Sequence, residues 1–469
     1  MKSYDSKTYL SPFTWRYGTE EMRAVWSVYH QREIWRRIWV AMAEVQCELG
    51  LVKEAQVDDL RRNAHRVDLA RAAEIEADIR HDVMAEVKAF AEQCEVGGGI
   101  VHLGATSMDV QDNADAIRLT EALDVVLERT GALMQTLATQ IETLADHPTM
   151  AFTHLQPAEP TTLGYRLAQY GQDLLSDFEG LSDIRSRIKG KGFKGAAGTS
   201  ASYMQLFGGS LDRLQQFQDR MMEKLGIEET VAATQTAPRK QEYQLVSVLS
   251  GLGQTLYKMA FDFRILQSPV IGELAEPFGK KQVGSSAMPF KRNPIDAENI
   301  DSLARLLATY PRVMWDNAAH SLLERTLDDS ANRRTVLAES FLLIDEMLKK
   351  AQRILTGLRI DANASDKLMD IYGPFAATER LMMEAVKLGG DRQVLHEVIR
   401  EHALRCWAEL AAGRPNTLEV SLAEDERLTS LMDPTAIFDS LKSRDYVGDA
   451  PVRARKIARL MKAAISGEK

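Results

Sequence analysis

Apolar residues recur at the three- and four-residue spacing of a helix over long stretches of this chain. Between Ser107 and His147 the spacing continues without a helix breaker. At about 1.5 Å of rise per residue, such a helix would be on the order of 60 Å long. Four further stretches show the same pattern: Thr161–Lys189, Gln241–Gln267, Asp296–Leu323 and Thr335–Leu358. Because no stretch alternates convincingly like a strand, the pattern predicts the all-α class.

Helices of this length need partners along their whole length, which predicts a helical bundle. The stretch Gln241–Gln267 carries apolar residues around much of its circumference, at Leu245, Val246, Val248, Leu249, Leu252, Leu256 and Met259. A helix buried on more than one side indicates oligomerisation. Shorter helical patterns flank the long ones, so we predict three domains. They are an N-terminal domain over 1–106, a central bundle over 107–360 and a C-terminal domain over 361–469.

The composition limits the classes of partner. The 469 residues include 58 Lys and Arg against 67 Asp and Glu, a formal charge of −9, which argues against nucleic acid or an anionic membrane as a partner. The three cysteines are far apart in sequence and fit a reducing compartment. The first ten residues lack the order of a signal peptide, and no apolar run approaches the roughly 18 residues of a membrane helix. We therefore expect a cytoplasmic protein without a membrane partner.

The segment Gly284–Pro294 carries the most chemical information. It places two hydroxyls (Ser285 and Ser286), the Lys291 ammonium and the Asn293 amide on one short loop. We call residues 279–294 the signature loop. A serine beside a fixed cation, on a loop that can close, suits the removal of a proton next to a carboxylate. The alternative is an ordinary surface loop rich in turn residues.

Other segments combine similar groups. Thr153-His154-Leu155-Gln156-Pro157 lies in a predicted loop between two long helices, where an imidazole suits proton delivery to a leaving nitrogen; the alternative is a structural histidine. Three arginines and a serine lie within Arg325–Arg334 and could hold a phosphate, unless they form surface ion pairs with their acidic neighbours. Neither a phosphate-binding glycine loop of the Walker type nor a cluster of His and Cys ligands is present, so we expect neither a cofactor nor a metal.

Together these segments resemble the fumarase/aspartase superfamily and, within it, the lyases that release fumarate from succinylated purine nucleotides. The resemblance implies Ser285 as the general base, His154 as the general acid, Lys291 as a carboxylate ligand and Glu298 as the partner that orients His154. Resemblance alone favours Ser285 over Ser286 as the base. It further implies a set of substrate-binding residues: Arg16, Tyr17, Arg80, His81, Asp82, Thr106, Ser107, Thr153, Gln235, Ser286, Asn293, Arg325, Ser330 and Arg334.

The same resemblance implies a three-domain, mostly helical fold whose long helices form the core of a homotetramer with shared active sites. The implied reaction is β-elimination of fumarate from adenylosuccinate, giving AMP, and from the succinyl-carboxamide ribotide SAICAR, giving AICAR. Two alternatives stay open at this point. One is another fumarate-releasing lyase of the superfamily, similar to argininosuccinate lyase. The other is a structural protein that keeps the fold without the activity.

Overall fold

The computed structural model describes residues 7–467, and helices dominate this part of the chain. The helices are α1 (Glu20–Val25), α2 (Val28–Glu48), α3 (Glu54–Asn63), α4 (Leu69–Ile79), α5 (Asp82–Glu92), α6 (Ser107–Thr143), α7 (Leu163–Ser186), α8 (Ala201–Leu206), α9 (Leu211–Leu225), α10 (Lys240–Leu266), α11 (Ile295–Leu307), α12 (Tyr310–Ala319), α13 (Ser330–Thr356), α14 (Ala362–Ala376), α15 (Thr378–Lys387), α16 (Arg392–Ala411), α17 (Leu418–Ala423), α18 (Glu426–Thr429), α19 (Pro434–Leu441) and α20 (Ala450–Ser466). The all-α class is confirmed.

Short strands pair two by two within the described residues. They are β1 (Pro148–Thr153), β2 (Gln156–Thr162), β3 (Lys189–Gly190), β4 (Glu228–Glu229), β5 (Leu274–Ala275) and β6 (Arg359–Ile360). Strands β1 and β2 form an antiparallel hairpin, β3 pairs with β4 in parallel, and β5 pairs with β6 in antiparallel orientation. The sequence pattern did not predict the hairpin, and segment 152–157, predicted as a loop, contains its turn.

The chain divides into two compact units. The first comprises the described part of Met1–Arg129 with Asp177–Gln254 and Ser302–Leu348, and the second comprises Thr130–Ser176, Thr255–Asp301 and the described part of Lys349–Lys469. The long helices α6, α7, α10 and α13 each contribute residues to both units. The predicted division into three domains groups the chain by consecutive segments instead, and it stays a prediction.

Each unit has its own apolar core. In the first unit the Trp39 ring stacks on Phe90 with 6.2 Å between centroids, and Phe193 meets Phe217 edge to face at 5.7 Å. These rings belong to one buried cluster that joins α2, α5 and α9. In the second unit, one buried cluster joins α15, α16, α17 and α19, and another packs α14 around the buried Met150 of β1. The second cluster fixes the base of the hairpin.

One predicted long helix is wrong. The stretch Asp296–Leu323 forms two helices, α11 and α12, separated at Ala308 and Thr309. Pro311 lies in the first turn of α12 and has no N–H to donate to the carbonyl four residues earlier. The series of helix hydrogen bonds is therefore interrupted at this position. The chain makes a tight turn instead, in which Thr309 N–H donates to the Leu306 carbonyl at 3.0 Å. None of the helices described over 7–467 is long and apolar enough to cross a membrane.

Candidate active site

A cavity of about 620 Å³ in the first unit collects most of the residues predicted to bind the nucleotide. The predicted residues that line it are Arg80, His81, Asp82, Thr106, Ser107, Gln235, Arg325, Ser330 and Arg334. They come from separate stretches of sequence, and the fold brings them to one place. Arg16 and Tyr17 lie in the same unit but do not line this cavity.

A sharp turn between α4 and α5 supplies one wall of the cavity. Arg80 ends α4 in the left-handed conformation (φ 55°), and its N–H donates to the Glu76 carbonyl at 2.7 Å. His81 then caps α5, because its Nδ1 accepts the Met84 N–H at 3.3 Å. Three consecutive polar side chains therefore line the cavity. His81 Nδ1 is used by this cap and lies 3.9 Å from the Asp82 carboxylate.

Two helix N-termini face the same cavity. Thr106 precedes α6 and its N–H donates to Asp109 at 3.0 Å, while Ser330 opens α13. Free N–H groups at such ends, together with the helix dipole, favour anions. The arginines are held by carboxylates: Arg325 donates to Asp329 at 2.9 Å, and Arg334 donates to Asp82 at 2.8 Å. The cavity can thus receive phosphate and carboxylate groups.

Sequence reasoning missed several residues that line this cavity. Trp26, Asp115, Arg118 and Arg333 belong to its lining. Burial raises the pKa of the Asp115 carboxyl, although the Arg333 and Arg118 guanidinium groups oppose that shift. The helical spacing of α6 could have identified the α6 residues among them. Gln111, Asp115 and Arg118 follow Ser107 at this spacing and therefore share its face of the helix.

In the second unit, His154 occupies the turn of the β1–β2 hairpin. Thr153 pairs with Gln156, so His154 and Leu155 form a two-residue turn, and both have positive φ (53° and 58°). Turns with two positive φ values normally carry Asn and Gly, because other residues are strained by about 1–2 kcal/mol each. Strain of this kind concentrates at functional sites. The predicted general acid is therefore presented on a strained, exposed turn.

Hydrogen bonds hold the two ends of the signature loop together, at a point that we call its neck. Gln267 accepts the Glu276 N–H at 2.9 Å and donates to the Arg292 carbonyl at 3.1 Å, so one amide holds both ends. The buried Glu276 carboxylate accepts the Ala297 N–H at 3.1 Å and caps α11. Burial raises the pKa of Glu276, against the lowering effect of these backbone donors.

Gly284 allows the two arms of the loop to touch. A Cβ at this position would lie 1.9 Å from the Lys291 carbonyl oxygen, so only glycine fits. Asn293 Nδ2 donates to the Gly284 carbonyl at 2.9 Å and closes the same neck. Ser285 follows Gly284 directly, so the backbone at Lys291 and the Asn293 side chain both lie next to the residue that precedes Ser285.

The two serines of the loop differ in their surroundings. Ser285 Oγ accepts the Met288 N–H at 3.0 Å and the Ala287 N–H at 3.3 Å. Donors aimed at an oxygen favour its ionised form. Ser286 is exposed and makes no corresponding contact within residues 7–467. The geometry therefore provides a physical difference between the two hydroxyls that the sequence could not provide.

The predicted pairing of His154 with Glu298 is not made within the chain. Glu298 is exposed on the first turn of α11, and His154 forms neither a hydrogen bond nor an ion pair with any described residue. Thr153 is exposed at the end of β1. The roles assigned to all of these side chains stay predictions. Within the described residues, no cluster of three or more His, Cys, Asp or Glu could hold a metal ion.

Comparison with known proteins defines the class first. The family model described as "Lyase" matches residues 15–307. A solved 3-carboxy-cis,cis-muconate lactonizing enzyme from Pseudomonas putida superposes with a TM-score of 0.86 at 24% identity, over 97% of this chain and 99% of that one. A fumarate lyase from a Mesorhizobium species gives a TM-score of 0.83 at 22% identity, over 96% and 99% of the two chains. The fold is that of the fumarase/aspartase lyases.

Closer relatives narrow the class. The model "Adenylosuccinate lyase C-terminus" matches residues 374–457. The adenylosuccinate lyase of Schistosoma mansoni is 38% identical, with 91% of each chain covered. That of Saccharomyces cerevisiae is 36% identical, over 97% of this chain and 95% of its own. The chain belongs to the adenylosuccinate lyase family and is an enzyme of the lyase class.

Proposed function

We propose that this protein releases fumarate from the succinylated purine nucleotides adenylosuccinate and SAICAR, leaving AMP and AICAR. The observation that carries the proposal is the first-unit cavity, where two helix N-termini and several arginines converge. Both substrates carry one phosphate and two carboxylates, and this protein is acidic overall, so it needs such a local basic site. The alternatives raised by the sequence, another fumarate-releasing lyase or a retired structural protein, are not favoured by the named relatives.

In the proposed mechanism Ser285 removes the proton from Cβ of the succinyl group. The two N–H groups directed at its Oγ support the alkoxide that this step requires. Lys291 and Asn293 then hold the carboxylate over which the resulting carbanion charge spreads. The electron pair forms the C=C bond of fumarate as the C–N bond breaks. His154 donates its proton to the departing nitrogen, so each proton and electron pair is accounted for.

The proposal includes a homotetramer with shared active sites and a cytoplasmic location. Shared sites would let Glu298 of one subunit orient His154 of another, a contact that the single chain does not make. Exposed apolar side chains in both units, such as Phe261, Leu323 and Trp315, are consistent with burial between subunits. A sedimentation measurement at several protein concentrations tests the assembly independently of activity.

The first test is the ultraviolet absorbance of the purified protein mixed with adenylosuccinate, and separately with SAICAR, with products identified by chromatography. We expect AMP and fumarate in the first case and AICAR and fumarate in the second. A folded tetramer that leaves both substrates unchanged would contradict the proposed function. In that case argininosuccinate becomes the next substrate to test.

Arg334→Ala is expected to raise the KM for adenylosuccinate about tenfold and to change kcat little. A guanidinium that holds the non-reacting phosphate binds ground state and transition state alike, and a charge-assisted bond contributes about 1.5–3 kcal/mol. Steady-state kinetics on both substrates measures the split.

Arg62→Ala is the matched control for this variant. Its side chain is 67% exposed, against 66% for Arg334, and it also pairs with one aspartate, at 3.3 Å. Because Arg62 lies outside the cavity, its loss should leave KM unchanged. An unchanged KM in Arg334→Ala would remove Arg334 from the phosphate site.

A further inference from the structure

A buried network of ion pairs lies behind the cavity of the first unit. Arg239 is 4% exposed, and its Nε donates to Asp329 at 2.8 Å while its Nη1 donates to Asp112 at 2.9 Å. Neither Arg239 nor Asp329 lines the cavity. Both are therefore out of reach of a ligand, and any influence on binding must pass through another side chain.

Asp329 connects this network to the cavity. One carboxylate oxygen accepts from Arg239, and the other accepts the Arg325 Nη1 at 2.9 Å. Arg325 does line the cavity. The carboxylate is 3% exposed, and although burial opposes ionisation, Arg239, Arg333 and Arg325 together hold the pKa of Asp329 below its usual range. A charged, immobile acceptor thus fixes the guanidinium that faces the ligand.

The rest of the network keeps Asp329 in place. Asp112 also accepts the Ala237 N–H at 2.7 Å, and Arg333 Nε donates to Glu242 at 2.8 Å. These bonds tie α6, the start of α10 and the start of α13 together. A guanidinium held by a buried carboxylate loses little further side-chain freedom when an anion binds, which increases affinity.

We propose that Asp329, held by Arg239, is a positioning residue that orients Arg325 toward the phosphate of the nucleotide. The inference rests on the proposed function, because it assigns the anion in this cavity to the substrate's phosphate. Arg325 would use one edge of its guanidinium on Asp329 and keep its remaining N–H donors for the ligand. At metal sites, removal of the partner that orients a ligand residue changes affinity or activity by roughly 10- to 100-fold, and we expect Asp329 to act on Arg325 in a comparable way.

The test is Asp329→Asn, studied as the full-length enzyme. The amide keeps the shape of the side chain but loses its charge and presents N–H groups to one of the two arginines. We expect the KM for adenylosuccinate and the dissociation constant of AMP, measured by titration calorimetry, to rise roughly tenfold. We expect kcat to stay within about twofold, because Asp329 does not touch the reacting atoms.

Asp328→Asn is the matched control, since it makes the same charge change one residue away. Asp328 is exposed and accepts from Thr326 Oγ1 at 2.9 Å. The AMP affinity of the Asp328→Asn variant should stay within about twofold of that of the unmodified protein. An Asp329→Asn variant that behaves like this control would overturn the inference.

A double-mutant cycle with Arg325→Ala separates positioning from a general structural effect. If Asp329 acts through Arg325, Asp329→Asn should add nothing to the AMP affinity already lost in Arg325→Ala. A full additional tenfold loss would overturn the inference.

Should Asp329→Asn fail to fold, Arg239→Lys serves instead, because lysine keeps the charge but loses the Nε donor. Arg239→Lys should also raise the AMP dissociation constant, but it should not raise it further when Arg325→Ala is already present. An unchanged constant in Arg239→Lys would refute the proposed action of Asp329 on Arg325.

Measurement of AMP binding apart from turnover keeps the two proposals distinguishable. Unmodified protein that binds AMP but releases no fumarate counts against the proposed function, while the cycle still tests the role of Asp329. If the protein is active and the losses of AMP affinity in Asp329→Asn and Arg325→Ala simply add, the result counts against the positioning role of Asp329 and not against the proposed function.

Discussion

Ser285→Ala is expected to lower kcat for both succinylated nucleotides by roughly 10²- to 10⁴-fold, the range associated with loss of a general base. The substitution removes the oxygen that accepts the Met288 and Ala287 N–H groups, while the loop neck is held by other residues. Substrate binding should therefore persist, and KM should change little. Single-turnover kinetics with adenylosuccinate separates the chemical step from product release.

Ser286→Ala decides between the two hydroxyls. Because Ser286 has no N–H groups directed at it among the described residues, its loss should affect KM more than kcat. A Ser285→Ala enzyme that keeps substantial turnover, beside an inactive Ser286→Ala enzyme, would reverse the assignment. Circular dichroism and sedimentation should show that both variants keep the native assembly, since both positions lie on a loop outside the apolar clusters.

The long helices could be predicted because their information is local and repeated. Apolar periodicity identified α6, α7, α10 and α13 to within a few residues at most ends. Pro311 indicates the break between α11 and α12, but the apolar spacing continues on both sides of it and predicts one helix. Pro311 has no backbone donor and lies at the start of α12, so at this position the proline outweighs the periodicity around it.

The β1–β2 hairpin could not be predicted, because its turn contradicts local preference. His-Leu is not a sequence that favours two positive φ values. Distant residues hold the base of the hairpin: Glu273 lies buried between Thr149 and Arg166, and Arg166 also donates to the Met150 carbonyl. Residues 149 and 273 are far apart in sequence, so no local window contains this constraint.

For the first-unit cavity, the two interpretations of Arg325–Arg334, phosphate binding and ion pairing with acidic neighbours, do not exclude each other. Arg325 is paired with an acidic neighbour, as the surface-ion-pair alternative expected, and it also lines the cavity. Sequence could not separate Asp328 from Asp329, since only burial makes one of them part of a network. The difference between an exposed and a buried carboxylate is a property of the fold and is invisible to composition.

The strained turn allows an unusually clean test of the proposed general acid. His154→Asn removes the proton donor but places at this position a residue that tolerates positive φ better than histidine does. Thermal stability should therefore be unchanged or higher, whereas kcat should fall by roughly 10²- to 10⁴-fold because the leaving nitrogen departs unprotonated. A loss of activity without a loss of stability cannot be attributed to a damaged hairpin.

Leu155→Asn is the control, because it introduces the same residue at the neighbouring position with the same sign of φ. It should gain stability of about 1 kcal/mol and retain turnover. Turnover in His154→Asn close to that of the unmodified enzyme would rule out His154 as the acid. If instead both variants lost activity equally, the shape of the turn rather than its imidazole would be what the reaction requires, and the strain would have a function of its own.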